Sequence, residues 1–385
     1  MSAGPHARIA VELDSIDAAF FDDREAWNFL ESEKPFALLR IVTTARKLFE
    51  LTGLNRLPRE GEWFEVEMSR SLTGPPIWTR PLEGGLYVEG ERLHVVRMRP
   101  LDAQEAPRTL SAAASPHVRV SARQMRRTFD LAQFRGRGRR ARALLRRLPQ
   151  ATSGTVYDVG QASFSALFDD GGVPIVYFDV GAPMWLNERT APKRFEITPD
   201  PKALVVLSHW DWDHFEYGRR TAAFHDLNWV APTQAVGPNT YRFALKLWKA
   251  GKLWLLPRTA SRIDAPLGKF VVCNGADRNN TGVALLAHLR TKHALLTGDA
   301  EYAHIPLNWL DWFPILSVVL VPHHGAHSSA TPPLAGPSGE AVVSYGRGNR
   351  YGHPSATVLA GHQTARWSIV CTARHGRKRR GHRAF

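Results

Sequence analysis

The chain has 385 residues, 44% of them hydrophobic, and a formal net charge of +14, which excludes a disordered or collagen-like chain and leaves room for two domains or one large domain with an extension. Two cysteines, Cys273 and Cys371, exclude a disulfide framework and read as buried thiols in a reducing compartment. No basic-then-apolar leader and no bilayer-length apolar run is visible, so the expectation is a cytoplasmic protein with no membrane partner.

Residues 14–52 carry scattered aromatics and leucines at a mixed spacing that leans helical. Short strands and turns follow over residues 60–100, where Glu62-Trp63-Phe64-Glu65-Val66-Glu67-Met68 alternates. Residues 101–118 are rich in Ala, Ser and Pro and read as a linker, closing a mixed α/β region (residues 1–118) that offers a surface for a protein partner. Residues 119–150 form an arginine-rich linker or helix, with eleven arginines against Asp130 alone. Pro149 and Gly154 mark the entry to a domain expected over residues 151–373. Within it, residues 239–256 suit an amphipathic helix running into a strand. Residues 374–385 form a tail with six basic residues and no acid. The two basic stretches carry essentially all of the surplus charge and read as polyanion-binding segments, with Arg135, Arg137, Arg139 and Arg140 as candidate contacts.

The most constrained chemistry lies at residues 208–214, Ser-His-Trp-Asp-Trp-Asp-His, directly after the apolar run at 203–207. A buried strand there would deliver His209, Asp211 and Asp213 to one side of the following loop, with Trp210 and Trp212 turned away to pack and His214 joining at a helix start. Carboxylates this crowded resist ionising together unless a cation sits between them. Three further strand ends repeat the pattern: Asp179 before Gly181, Asp299 after Gly298, and His323-His324-Gly325 after residues 317–322. Ligands gathered from several strand ends are a common way to build a site on an α/β scaffold.

The order Asp, His-x-Asp-x-Asp-His, Gly-Asp, His-His-Gly resembles the metallo-β-lactamase fold, and more narrowly the soluble hydrolase domain of the competence channel protein ComEC. Matching stretches are Asp158-Val159-Gly160-Gln161-Ala162, residues 208–214, Asn279-Asn280-Thr281-Gly282, Leu296-Thr297-Gly298-Asp299, His323-His324-Gly325-Ala326 and Asn349-Arg350-Tyr351-Gly352-His353-Pro354. They span residues from about 154 to about 372 and leave the first 150 unexplained. The resemblance implies an α/β (α+β) protein, a four-layer αβ/βα sandwich with an N-terminal extension or small mixed domain. It also implies one or two divalent ions, zinc or manganese, at the mouth between the sheets. Carried over by position, His209, Asp211, Asp213, His214, Asp299 and His323 or His324 are metal ligands, and Asp179 orients the His-Asp loop. The family more often has histidine in place of Asp211 and one more ligand histidine before the Gly-Asp motif. His288 and His293 read as structural, so the first metal position is short of ligands, and an oxygen-rich set favours manganese or magnesium over zinc.

The reaction this implies is hydrolysis of phosphodiester bonds by metal-activated water, with DNA, single-stranded by preference, as substrate and Asp213 and His353 as catalytic groups. Asn349 and Arg350 are candidate phosphate contacts. Two other readings stand beside it: hydrolysis of a small phosphodiester or ester, and a metal-poor nucleic-acid-binding or scaffold protein.

Overall fold

The computed structural model describes residues 7–15, 20–24, 37–41, 45–54, 63–69, 74–83, 86–87, 92–100, 129–134, 138–260, 262–306, 316–326, 331–349, 351–376 and 379–385. Two compact units emerge, one of residues 1–130 with 235–242, the other of residues 131–234 with 243–385. No helix of the described residues is long and apolar enough to cross a membrane.

The first unit contains strands β1 (Ala7–Ser15), β2 (Phe20–Arg24), β3 (Ala37–Ile41), β4 (Trp63–Ser69), β5 (Pro76–Glu83), β6 (Leu86–Tyr87) and β7 (Arg92–Pro100), with helix α1 (Ala45–Thr52). The strands are ordered β3-β2-β1-β4-β7-β5-β6, and a further β3–β5 pairing joins the ends. Every described pairing is antiparallel, so six strands close into a barrel that leaves no free edge among them. Phe64, Val66, Ile77, Val95 and Met98 fill the interior with Leu48 and Leu54. Among the described residues of 14–52, α1 alone is helical and the others are strands, against the helical leaning expected there. Pairings such as Ala37↔Pro81 join residues far apart in sequence, and a local spacing signal does not contain them.

The second unit holds two seven-stranded mixed sheets. The first runs β13-β12-β11-β10-β9-β8-β21, from β8 (Ser153–Val156), β9 (Phe164–Phe168), β10 (Pro174–Val180), β11 (Leu204–Val206), β12 (Asn228–Pro232), β13 (Leu253–Leu256) and β21 (Arg383–Ala384). The second runs in chain order from β14 (Arg262–Ala265) and β15 (Gly268–Val272) through β16 (Val283–His288), β17 (His293–Leu296), β18 (Val318–Leu320) and β19 (Glu340–Val343) to β20 (Ser368–Cys371). In each sheet the pairing changes from antiparallel to parallel at one strand, β10 in the first and β17 in the second.

Alternate residues of both sheets enter a single core: Val176, Phe178, Leu204, Val206 and Val230 from one, Phe270, Leu285, Leu296, Val318 and Val342 from the other. A core shared in this way makes the two sheets the inner layers of a sandwich. The opposite faces are covered too. Val271, Leu286, Val319 and Val343 pack with Val358 and Leu359 of helix α5 (Ala356–Thr364). On the other side, from helix α3 (Trp212–Arg220), Tyr217 packs on Phe164 and Phe224 and Phe215 stacks on Phe243. Helix–sheet–sheet–helix is the four-layer mixed α/β class expected.

The boundaries differ from those read in sequence. Helix α2 (Gly138–Arg146), in the arginine-rich segment, buries Ala141 and Leu145 in the shared core, so the unit begins at Leu131 rather than 151. The end of the basic tail forms an edge strand: Arg383 and Ala384 pair with Val156 and Thr155, and Phe385 is buried beside Gly154. Arg380, although exposed, closes onto the buried Asp158 and the Thr190 carbonyl, so its charge is paired within the chain. Helix α4 (Pro238–Lys249) followed by β13 matches the amphipathic helix and strand expected over 239–256.

Candidate metal centre

Four strand ends meet at one place. Asp179 lies near the end of β10, residues 208–214 follow β11, Asp299 follows β17, and His323 and His324 follow β18. These are the carboxyl ends of the strands at and beside the two changes of direction, where open α/β sheets leave a crevice for ligands. Two glycines permit the approach. A Cβ on Gly181 would lie 1.6 Å from the Asp213 carbonyl oxygen, and one on Gly298 (φ +57°) would lie 2.4 Å from Ser208 Cβ.

The backbone is also bent at the site. Asp179 has φ 59°, and His323 and His324 have φ 50° and 55°, left-handed conformations that non-glycine residues hold only when their surroundings enforce them. The alternation expected along 209–213 stops at Asp211, because the helix begins at Trp212 and carries Asp213 and His214 in its first turn. Trp210 does turn away to pack, buried with its indole N–H donating to the Pro232 carbonyl at 2.9 Å.

Asp179 organises the His-Asp loop. Its Oδ1 accepts the Ser208 N–H at 2.7 Å, and its Oδ2 accepts the Ser208 hydroxyl at 2.9 Å and lies 2.8 Å from His214 Nδ1. With its proton directed to Asp179, the Ser208 hydroxyl accepts from His209 Nδ1 at 3.0 Å. His324 Nδ1 donates to the Ser344 carbonyl at 2.7 Å. Carboxylate and carbonyl oxygens only accept, so all three imidazoles carry hydrogen on Nδ1 and aim Nε2 inward.

At the centre, His214 Nε2 lies 3.0 Å from Asp299 Oδ1 and 3.8 Å from Asp213 Oδ1, and His324 Nε2 lies 3.1 Å from Asp213 Oδ2. His209 Nε2 lies 3.2 Å from Asp211 Oδ2 and 3.8 Å from Asp299 Oδ2. Two triads have ligand atoms close enough to hold a metal ion: His209, His214 and Asp299, and Asp213, His214 and His324. Both His209 Nε2 and His214 Nε2 are buried without a hydrogen bond. Buried imidazole nitrogens without a donor, gathered with carboxylates, fit a divalent cation.

The electrostatics point the same way. Burial presses the His214 pKa down, yet Asp299, Asp179 and Asp213 outweigh it and raise it well above the usual imidazole value. Burial likewise opposes His324, which its hydrogen bond to Asp213 and the charge of Asp299 raise. Asp299 is held well below the carboxylate range by His214 and His323 against the pull of burial, and Asp213 is lowered by His214 and His324. The carboxylates create a demand for positive charge that protons or a metal can meet.

Several expected residues stand elsewhere. Asp211 belongs to neither triad. Its Oδ1 takes a 2.9 Å hydrogen bond from Arg278 Nη1, and His209 and Arg278 hold its pKa at about 2 although burial raises it. Of the paired histidines, His324 is buried in a triad; the His323 side chain is 40% exposed, with Nε2 3.6 Å from Asp299 Oδ2. Burial and the neighbouring His323 and His324 push the His353 pKa down to about 3, so its imidazole is neutral. The Asn349 amide donates to the Gly346 and His353 carbonyls and its Oδ1 accepts from the Tyr351 and His353 N–H groups, so it builds the turn. Arg350, Arg135 and Arg137 lie outside the described residues; Arg139 and Arg140 are exposed on α2, with Arg140 5.7 Å over the Trp254 ring. His288 and His293 face each other across the β16–β17 pair at the end away from Asp299.

Arg278, Ser208, Ser344 and Gln234 were missed in sequence. Gln234 ties two loops together, accepting the Trp210 N–H and donating to the Arg278 carbonyl and Thr281 hydroxyl. The signals were adjacency: Ser208 precedes His209, and Arg278 precedes the Asn279-Asn280-Thr281-Gly282 stretch. No signal marked Ser344 or Gln234.

No family model and no curated protein matches the chain. Among solved structures, the zinc-bound PqqB of Methylobacterium extorquens is similar at 11% identity and a TM-score of 0.37, over 60% of this chain and 99% of that one. At that score the likeness has no bearing on activity.

Proposed function

We propose that this protein is a metal-dependent hydrolase that cleaves phosphodiester bonds in nucleic acid, single-stranded DNA by preference. The observation that carries the reading is the convergence of Asp213, His214, Asp299 and His324 with their imidazole Nε2 atoms directed inward. These residues would hold the ion, with His209 beside them. A divalent ion bound there supplies Lewis acidity and acidifies water near neutral pH. The protein supplies the rest. Asp179 and the Ser344 carbonyl fix the imidazole tautomers. His323, partly exposed, and neutral His353, whose rings lie 5.7 Å apart, would donate hydrogen bonds to phosphoryl oxygens. Arg139, Arg140, Arg146 and Arg147, exposed on and just after α2, would attract a polyanion without reading its sequence.

The test is cleavage of single- and double-stranded DNA and RNA with zinc, manganese or magnesium, alongside Asp213→Ala and Asp299→Ala. The expected outcome is manganese-dependent cleavage abolished in both variants with circular dichroism unchanged. Inertness toward every nucleic acid with every ion would refute it. A second reading, hydrolysis of a small phosphodiester or ester, is favoured by one finding: Arg380 and Arg383 of the basic tail are engaged internally. Turnover of a small diester unaffected by substitution of Arg139 and Arg140 would select it.

A further inference from the structure

His214 belongs to both triads, but it has one nitrogen to give, because Nδ1 faces Asp179. A single imidazole lone pair serves one ion. If two ions divided the cluster, the one on the His209 side would need Asp211 to complete its set. That carboxylate is already paired with Arg278, whose side chain is 4% exposed and whose guanidinium keeps its proton in any protein environment. The Arg278 backbone is fixed to the same loop through Gln234, which bonds both the Arg278 carbonyl and the Trp210 N–H. The permanent cation therefore belongs to the architecture of the site.

We propose that the cluster takes one divalent ion, on Asp213, His214, Asp299 and His324, and that Arg278 stands in for a second cation by neutralising Asp211. The inference rests on the metal-hydrolase reading and deepens it. It accounts for the absence of a further ligand histidine before Gly298-Asp299: with a guanidinium at Asp211, the His209 side does not need a full ligand set. Arg278 is then a positioning residue, one that keeps the Asp211 charge from recruiting a second ion.

The experiment is equilibrium dialysis of the purified full chain against manganese or zinc, with metal counted by mass spectrometry. The wild type is expected to hold one ion per chain. Arg278→Gln frees the Asp211 carboxylate, and its stoichiometry is expected to rise toward two at the same free metal concentration. The charge-balanced double variant Asp211→Asn/Arg278→Gln is expected to keep one ion with affinity within about threefold of wild type, well short of a lost ligand or orienting partner. Two ions in the wild type, one ion in a folded Arg278→Gln, or a loss beyond about tenfold in the double variant would each overturn the inference. If Arg278→Gln does not fold, the wild-type count and the double variant still decide. Failure of the wild type to bind any ion would instead remove the metal-hydrolase reading beneath it.

Discussion

Asp179→Asn isolates the contribution of the buried carboxylate that touches no proposed substrate. Asparagine tolerates the left-handed conformation that Asp179 adopts at φ 59°, so the backbone is not strained by the change. Its Oδ1 can still accept the Ser208 N–H, now at 2.7 Å. Its amide group, however, faces His214 Nδ1, 2.8 Å away in the native contact, and opposes one N–H to another. The imidazole relieves the conflict by moving its proton to Nε2, where it blocks ligation. A charge-assisted hydrogen bond worth about 1.5–3 kcal/mol is lost at the same time. Removing such an orienting partner weakens metal affinity about 10–100-fold, or roughly 1.4–2.7 kcal/mol. Competition against a chelating dye measures the dissociation constant, with far-ultraviolet circular dichroism as the fold control. A folded variant that binds within about twofold of wild type, short of that range, would refute the reasoning.

Three further outcomes are expected. In metal-free protein the raised pKa values of His214 and His324 contribute stability that is complete below about pH 6.5 and lost as pH rises through their folded-state values. The lowered Asp299, Asp213 and Asp211 contribute stability present above about pH 3.9 and lost on acidification, down to about 2 for Asp211. Melts in chelator should therefore peak between roughly pH 4 and 6.5, while metal affinity should fall as pH drops through the same interval; a chelated protein that melts higher at pH 9 than at pH 6 contradicts this. Gly181→Ala would put a Cβ 1.6 Å from the Asp213 carbonyl, so it should abolish metal binding and lower the melting temperature sharply. Gly172→Ala, with φ +73° and open space around it, should cost only about 1 kcal/mol by thermal melt; similar losses in the two would contradict the close approach of β10 to the helix start. Arg139→Gln/Arg140→Gln should weaken single-stranded DNA binding and reduce the slope of log affinity against log salt by about 1.4, read by fluorescence anisotropy; an unchanged slope would move the polyanion contact elsewhere.

The four ligand-bearing strand ends were legible because their signals are local, apolar runs of strand length each ending in Asp or His beside glycine, whereas the sandwich was expected only through the family resemblance those motifs carry. Asp179, Asp213, His214, Asp299 and His324 meet where that logic places them. What it did not contain depends on long-range pairing. The barrel of the first unit closes through β3 and β5, about forty residues apart in sequence, a pairing that the alternation of β4 does not announce. The basic tail read as a polyanion-binding segment because the sequence carries no trace of its partners, Asp158 and β8. Arginine composition could not separate the core-facing side of α2, at Ala141 and Leu145, from the exposed side at Arg139 and Arg140. Asp211 was assigned by spacing within the His-x-Asp-x-Asp-His run, but the Arg278 that engages it comes from a loop 67 residues later.

Crystals of the full chain soaked in manganese or zinc, with anomalous diffraction recorded at the metal edge, would test the central claim most directly. The expected result is an anomalous peak about 2.0–2.3 Å from His214 Nε2 and His324 Nε2 and from carboxylate oxygens of Asp213 and Asp299. A saturating soak that leaves no peak among these side chains, or places the ion elsewhere, would contradict the claim that these strand ends form a metal centre.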